Sequence, residues 1–232
     1  METIDTLALT LGAGWASGIN LYAAVLVLGY LGMTGDVVLP PELQVLSDPL
    51  VMGVAGILYC IEFFADKTPG VDSGWDTLHT FIRIPAGALL AAGAASGIEV
   101  GQAAQLAAAL VGGTLAAGSH LTKAGGRLLI NTSPEPVSNW TASILEDLAV
   151  IGGLWTALHH PIAFFFLLAL FIALVIWLLP KIWRALKRLL QRLGRLFGGA
   201  KEVPPETYDP ATRAERLKAL FQEPREPGKP GK

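Results

Sequence analysis

Glu146 and Asp147 stand side by side inside the apolar stretch SILEDLAVIGGLW. They lie about two turns from the expected start of that segment, roughly 10–12 Å deep at 1.5 Å per residue. A charge at mid-membrane costs about 2.5–3.5 kcal/mol on insertion scales, so the pair calls for protonation, a cationic partner or water. Arg83, Lys123 and Arg127 are the cations available to it. Carboxylates held this way could bind a cation or relay protons, or they could be one half of a structural ion pair.

The densest polar stretch is IEFFADKTPGVDSGWDTLHTFIRIPAG. Pro69-Gly70 forces a break, and helix can restart near Asp72 or Ser73, both acceptable caps. From there Asp72, Asp76, His79 and Arg83 follow at spacings of four, three and four, which puts them on one helical face. Glu62 and Asp66 share a face of the preceding segment in the same way. Oxygen and imidazole donors of this kind suit a proton site or a metal such as Mn²⁺, Fe²⁺, Zn²⁺ or Mg²⁺, although no diagnostic metal spacing is present. The competing reading is a salt-bridge network joining Asp76 to Arg83 or Lys67, with Asp72 as a cap.

A second polar stretch reads SHLTKAGGRLLINTSPEPVSNW. Lys123 and Arg127 are four apart and give one helical face a positive charge. NTSPEP cannot be regular helix, because Pro134 and Pro136 remove donors and restrict the residues before them. Such a loop must be buried in protein or line an aqueous cavity if it sits at membrane depth. Asn131 belongs to that loop, and Ser138 or Asn139 is expected to cap the segment that follows. Earlier, Gly18 and Asn20 interrupt an apolar run, SGINLYAAVLVLG, where they could break a helix and expose backbone to a ligand, or where Asn20 could hydrogen-bond a neighbouring helix. His159 and His160 fit an exposed polar turn before Pro161 better than a metal pair.

These residues need apolar elements to hold them. Of the 232 residues 52% are hydrophobic and 16% charged, with a net charge of −2 and a mean hydropathy of +0.50. Soluble domains carry about 25% charged residues. Six apolar segments stand out, at roughly 5–31, 49–65, 81–98, 102–119, 140–158 and 161–180. About 20 helical residues cross a bilayer, and the uncharged segment from Pro161 to Pro180 meets that requirement best. The expected architecture is an all-α polytopic membrane helix bundle of about six transmembrane helices, with broken helices. Ala109, Gly113 and Ala117 mark a small-residue packing face. Gly56, Lys67 and Gly70 recur at equal spacing as Gly112, Lys123 and Gly126, a candidate internal repeat of the kind transporters use. The one cysteine, Cys60, is expected to pack as a small hydrophobe. METIDTLALT has no positive n-region, so the first segment is expected to remain in the mature protein.

Before Lys181 the only cations are Lys67, Arg83, Lys123 and Arg127, assigned here to alternate connections. The positive-inside rule then places both termini in the cytoplasm of a bacterial inner membrane. The transmembrane domain is expected over residues 1–180. Residues 181–198 read as a basic amphipathic helix suited to anionic lipid headgroups, or as a helical extension of the last span. Residues 199–232, rich in Pro, Gly and mixed charge, read as a disordered cytoplasmic tail. The bilayer itself is the main expected partner, a homo-oligomer is a candidate state, and nothing in the sequence points to nucleic acid or names a cofactor.

GINLYAAVLVLGYLG, IEFFADKTPGVDSGWDTLHTFIRIPAGALLAAGA, HLTKAGGRLLINTSPEPVSNW and SILEDLAV together resemble the bacterial membrane family called domain of unknown function 4126. The resemblance covers about residues 5–180. It implies an integral membrane protein and no assigned activity. It also implies that Asn20, Glu62, Asp66, Lys67, Asp72, Asp76, His79, Arg83, Lys123, Arg127, Asn131, Glu135, Asn139, Glu146 and Asp147 stand at family-typical positions. The residues fit a small transporter or channel with a polar site between helices. The alternatives are an intramembrane metal- or lipid-dependent enzyme, with Asp72, Asp76 and His79 on a metal, and a structural scaffold.

Overall fold

A computed structural model describes residues 2–68, 70–97, 101–131 and 136–196. The residues expected to form the tail, and Glu135, lie outside the described residues. Two compact units are present, Met1–Leu189 and Leu190–Lys232; the described part of the second is the end of a helix.

All regular structure among the described residues is helical. The elements are α1 (Thr3–Thr34), a 3₁₀ turn (Pro41–Ser47), α2 (Pro49–Ala65), α3 (Val71–Ala95), α4 (Gln102–Ile130), α5 (Pro136–His159) and α6 (Pro161–Leu196). Each of the six apolar segments therefore lies on a helix. Four helices, α1, α3, α5 and α6, are long and apolar enough to cross a membrane, and the 3₁₀ turn with α2, bent by 65°, makes a fifth span if taken together. α4 is long enough at 29 residues, but Gln, Gly, Ser and His dilute its apolar character. The apolar residues that point outward, Phe81, Leu106, Ile162, Phe166 and Ile176 among them, are 63–80% exposed. Outward-facing apolar surface on spanning helices is what a bilayer solvates, and the chain is a helical integral membrane protein.

α1 is the central element, buried along most of its length and packed against α2, α3, α4 and α5. Small residues let the backbones approach. An added Cβ on Gly14 would stand 2.6 Å from the Gly112 Cα on α4, and one on Gly18 would strike Ala116 and Ser119. The closest face of α4 is thus Gly112 and Ala116, one residue before the Gly113 and Ala117 face read from the sequence. Gly113 still meets Ala88 of α3. α6 is held by Phe164 and Phe171 edge-on to Trp15 of α1 and by Ile182 against Gly125. It continues through Pro180 without ending.

α2 is a shorter and more peripheral helix. Asp48 caps it, its carboxylate accepting from the Leu50 N–H at 2.8 Å, with Pro49 at the first helical position. Loss of such a cap costs about 1 kcal/mol. Asp48→Ala is expected to lower the unfolding midpoint in detergent by that amount; no change would mean the α2 start is held by its neighbours instead. Cys60 is exposed on α2 rather than packed. The candidate repeat is not matched by its surroundings. Gly56 has nothing near its Cβ position while Gly112 is tightly packed, and Lys67 follows α2 while Lys123 lies inside α4.

Candidate functional site

The site begins with a break in α1. Asn20 leaves helical geometry (φ −146°, ψ 100°) in the middle of the helix. Its side-chain oxygen accepts from the Ala23 N–H at 3.0 Å, capping the second half of the helix. Its amide donates to Asp147 Oδ1 at 3.0 Å. The break frees the Ile19 carbonyl, and α4 reaches the α1 backbone there and one turn earlier. Lys123 Nζ donates to the Ile19 carbonyl at 3.2 Å and Ser119 Oγ to that of Trp15 at 2.9 Å. Both readings of Asn20, a helix break and an interhelical hydrogen bond, hold at once.

Four helices then converge on one ionic network. α2 ends with Glu62 and Asp66 on a shared face. α3 presents Asp72, Asp76, His79 and Arg83 on one buried face, at the spacing expected. α4 supplies Lys123 and Arg127, and α5 supplies Glu146. Arg83 donates to Glu62 Oε1 at 2.6 Å and to Asp76 Oδ1 at 3.1 Å. Lys123 sits inside a cage of Asp66 (2.7 Å), Glu62 (3.4 Å), Glu146 (3.5 Å) and Asp76 (3.9 Å). Arg127 engages Glu146 through two guanidinium nitrogens, at 2.7 and 3.2 Å, and reaches the carbonyls of Asp66 and Asn139. Arg83 and Glu62 are fully buried, and Lys123 is 6% exposed.

Smaller groups border this network. Asp147 also accepts from the Tyr59 hydroxyl at 3.0 Å. Asp72 accepts from Asn131 Nδ2 at 2.8 Å and from the Gly70 N–H at 2.9 Å. Asn139 donates to Asn131 at 2.9 Å. Lys67 donates to Ser143 Oγ at 3.2 Å and lies 2.9 Å above the Phe63 ring centroid. Burial pushes its ammonium below the ordinary lysine value, against the opposing pull of Asp147 and Asp66.

His120 is neutral by its bonding, and His79 bonds away from the acids. His79 Nδ1 donates to the Trp75 carbonyl at 2.9 Å, and Nε2 meets the Tyr22 hydroxyl at 3.0 Å. Thr80 gives its hydroxyl proton to the Asp76 carbonyl, so His120 Nε2 donates to Thr80 Oγ1 at 2.8 Å. His120 Nδ1 then accepts from Arg83 at 3.2 Å. His120 thus has one donor and one acceptor nitrogen, as neutral imidazole requires.

All thirteen side chains expected from the sequence are thus in or beside one assembly. Several details differ. Arg83, Lys123 and Arg127 lie inside helices and are buried. They are not free charges in connections and do not orient the chain by the positive-inside rule. α5 starts at Pro136, so neither Ser138 nor Asn139 is its first capping residue, and Glu146 lies ten residues in, about 15 Å along the axis. Asp72, Asp76 and His79 turn to different partners, and among the described residues no three His, Cys, Asp or Glu side chains are placed to hold one metal ion. His159 and His160 are exposed. The sequence reading missed Tyr59, His120, Ser119 and Ser143. Their signal was spacing, since Tyr59 is three before Glu62, His120 three before Lys123, and Ser143 four from both Asn139 and Asp147.

Neither the curated proteins nor the solved structures compared with the chain contain a match. Comparison with protein families matches residues 7–181, the stretch that holds every residue of the network. The chain belongs to the family described as "Domain of unknown function (DUF4126)".

Proposed function

We propose that this protein is a small membrane transporter or channel whose permeant passes the ionic network beside the broken helix α1. One observation carries the reading: Lys123, Arg83 and Arg127 are buried with Glu62, Asp66 and Asp76 against the freed Ile19 carbonyl, with half-buried Glu146 at the edge. Replacing a buried ion pair by apolar residues of similar volume is often neutral or stabilising. A network of this size is therefore a poor way to hold helices together and a suitable way to pass or exchange charge. Broken spans with exposed carbonyls serve the same purpose in secondary transporters. Among the described residues Asp72, Asp76 and His79 turn to different partners and do not converge as the metal-dependent enzyme alternative requires.

The end of α6 is assigned to the cytoplasmic side of a bacterial inner membrane, and the N-terminus joins it when the number of spans is even. With the buried cations set aside, this rests on Lys181, Arg184, Lys187 and Arg188, which follow the last span. The same cations suit α6 beyond Pro180 to an anionic leaflet.

The test is ion flux in liposomes holding the purified protein. Wild type is expected to conduct, and Asp147→Asn and Glu146→Gln are expected to reduce flux at least tenfold while helical content stays unchanged. Undiminished flux in both variants, or none in wild type, removes the transport reading.

A further inference from the structure

The network has more carboxylates than cations. Glu62, Asp66, Asp76 and Glu146 face Arg83, Lys123 and Arg127, an excess of one negative charge in a setting where uncompensated charge is expensive. The neighbouring groups do not correct it. His120 accepts from Arg83 and is neutral, and His79 bonds to the Trp75 carbonyl and the Tyr22 hydroxyl and to none of the four acids. Asp147 and Asp72 face the cluster from α5 and α3 and add carboxyl groups, not cations, and Lys67 turns to Ser143 and the Phe63 ring.

The hydrogen bonds show where the excess resides. Both oxygens of Glu146 are taken by Arg127, both of Asp147 by Asn20 and Tyr59, and both of Asp72 by Asn131. Those three are satisfied as carboxylates. Glu62, Asp66 and Asp76 are not. Each uses one oxygen on a cation, while Glu62 Oε2, Asp66 Oδ1 and Asp76 Oδ2 are buried without a partner. Glu62 and Asp76 are bonded to the two terminal nitrogens of the same guanidinium, so their carboxyl groups are neighbours. Buried polar atoms are almost always paired, and three orphans on three adjacent acids in an over-negative cluster point to a missing positive charge of very small size.

We propose that the network holds one exchangeable proton, shared among Glu62, Asp66 and Asp76, and that the transported species is coupled to it. The second half rests on the transport reading; the first does not. A proton fits better than a metal because no three acidic or His side chains converge on one point among the described residues. Lys123 already occupies the centre of the cage as a tethered cation.

Infrared spectroscopy of the full chain in lipid at neutral pH tests the proton directly, with no transport required. Wild type is expected to show the C=O stretch of a protonated carboxylic acid, shifted on exchange into D₂O. Glu62→Gln or Asp76→Asn is expected to remove that band, and Asp36→Asn, at an exposed position, to leave it. Absence of the band in wild type overturns the proposal even if both variants fail to fold. A band that appears only when sodium is withdrawn also overturns it, because a metal cation would then be the native occupant. A band together with flux that ignores the pH gradient keeps the proton and overturns the coupling. A band with no flux at all keeps the proton and overturns the transport reading.

Discussion

Arg83→Met is expected to lower stability by about 3–5 kcal/mol, the loss typical of removing one partner from a buried ion pair. Methionine keeps much of the apolar stem, so little of this comes from lost volume. The loss comes from what remains. Arg83 is wholly buried and gives hydrogen bonds to Glu62, Asp76 and His120. Without it, Glu62 keeps only Lys123 at 3.4 Å and Asp76 only Lys123 at 3.9 Å. Two nearly naked carboxylates would then share one ammonium. If this is the mechanism, Glu62→Gln added to Arg83→Met should recover part of the loss by removing the stranded charge, and the two substitutions will be strongly non-additive. The unfolding midpoint in detergent measures all of it. A loss for Arg83→Met of no more than about 1 kcal/mol, the value of an exposed pair, would mean that water reaches the cluster and that the burial argument fails.

The helices were legible in the sequence because apolar runs of this length have no other stable form in a membrane. The face carrying Asp72, Asp76, His79 and Arg83 was legible because spacings of four, three and four leave little angular freedom on a helix. The break at Asn20 was only one of two readings that Gly18 and Asn20 allowed, because an Asn in an apolar run serves an interhelical hydrogen bond equally well. The placement of Arg83, Lys123 and Arg127 was not legible. A hydropathy window scores a charged residue near the end of an apolar run as a connection, whether it faces headgroups or a counter-charge inside the bundle. Only the pairing in three dimensions separates the two. The same limit hid His120, Tyr59 and Ser143, whose importance lies in partners on other helices. The packing face of α4 was off by one residue, because Gly112-Gly113 and Ala116-Ala117 are adjacent pairs that spacing alone cannot rank.

Those glycines set the second large effect. Gly14→Ala is expected to destabilise the bundle by about 3 kcal/mol, the upper end of the usual overpacking range. Its Cβ would lie 2.6 Å from the Gly112 Cα and 2.9 Å from the Gly112 carbonyl oxygen. Both are backbone atoms, so no side chain can rotate away and α1 must retreat from α4. The third helix closes the alternative route, since a Cβ on Gly112 would in turn meet Ala91 of α3 and the Gly87 carbonyl. A retreat of α1 would also stretch the bonds α4 makes to its backbone, Lys123 to Ile19 and Ser119 to Trp15, so the ionic network would loosen with the packing. Gly56→Ala on α2 is the matched control. Its Cβ position has nothing within 4 Å, and a mid-helix glycine is about 1 kcal/mol less favourable than alanine, so this change should be neutral or stabilising. The two variants differ by the same single methyl group, and their unfolding midpoints should move in opposite directions. Equal midpoints would sink the close approach of α1 and α4, and with it the geometry that brings Lys123 to the broken helix.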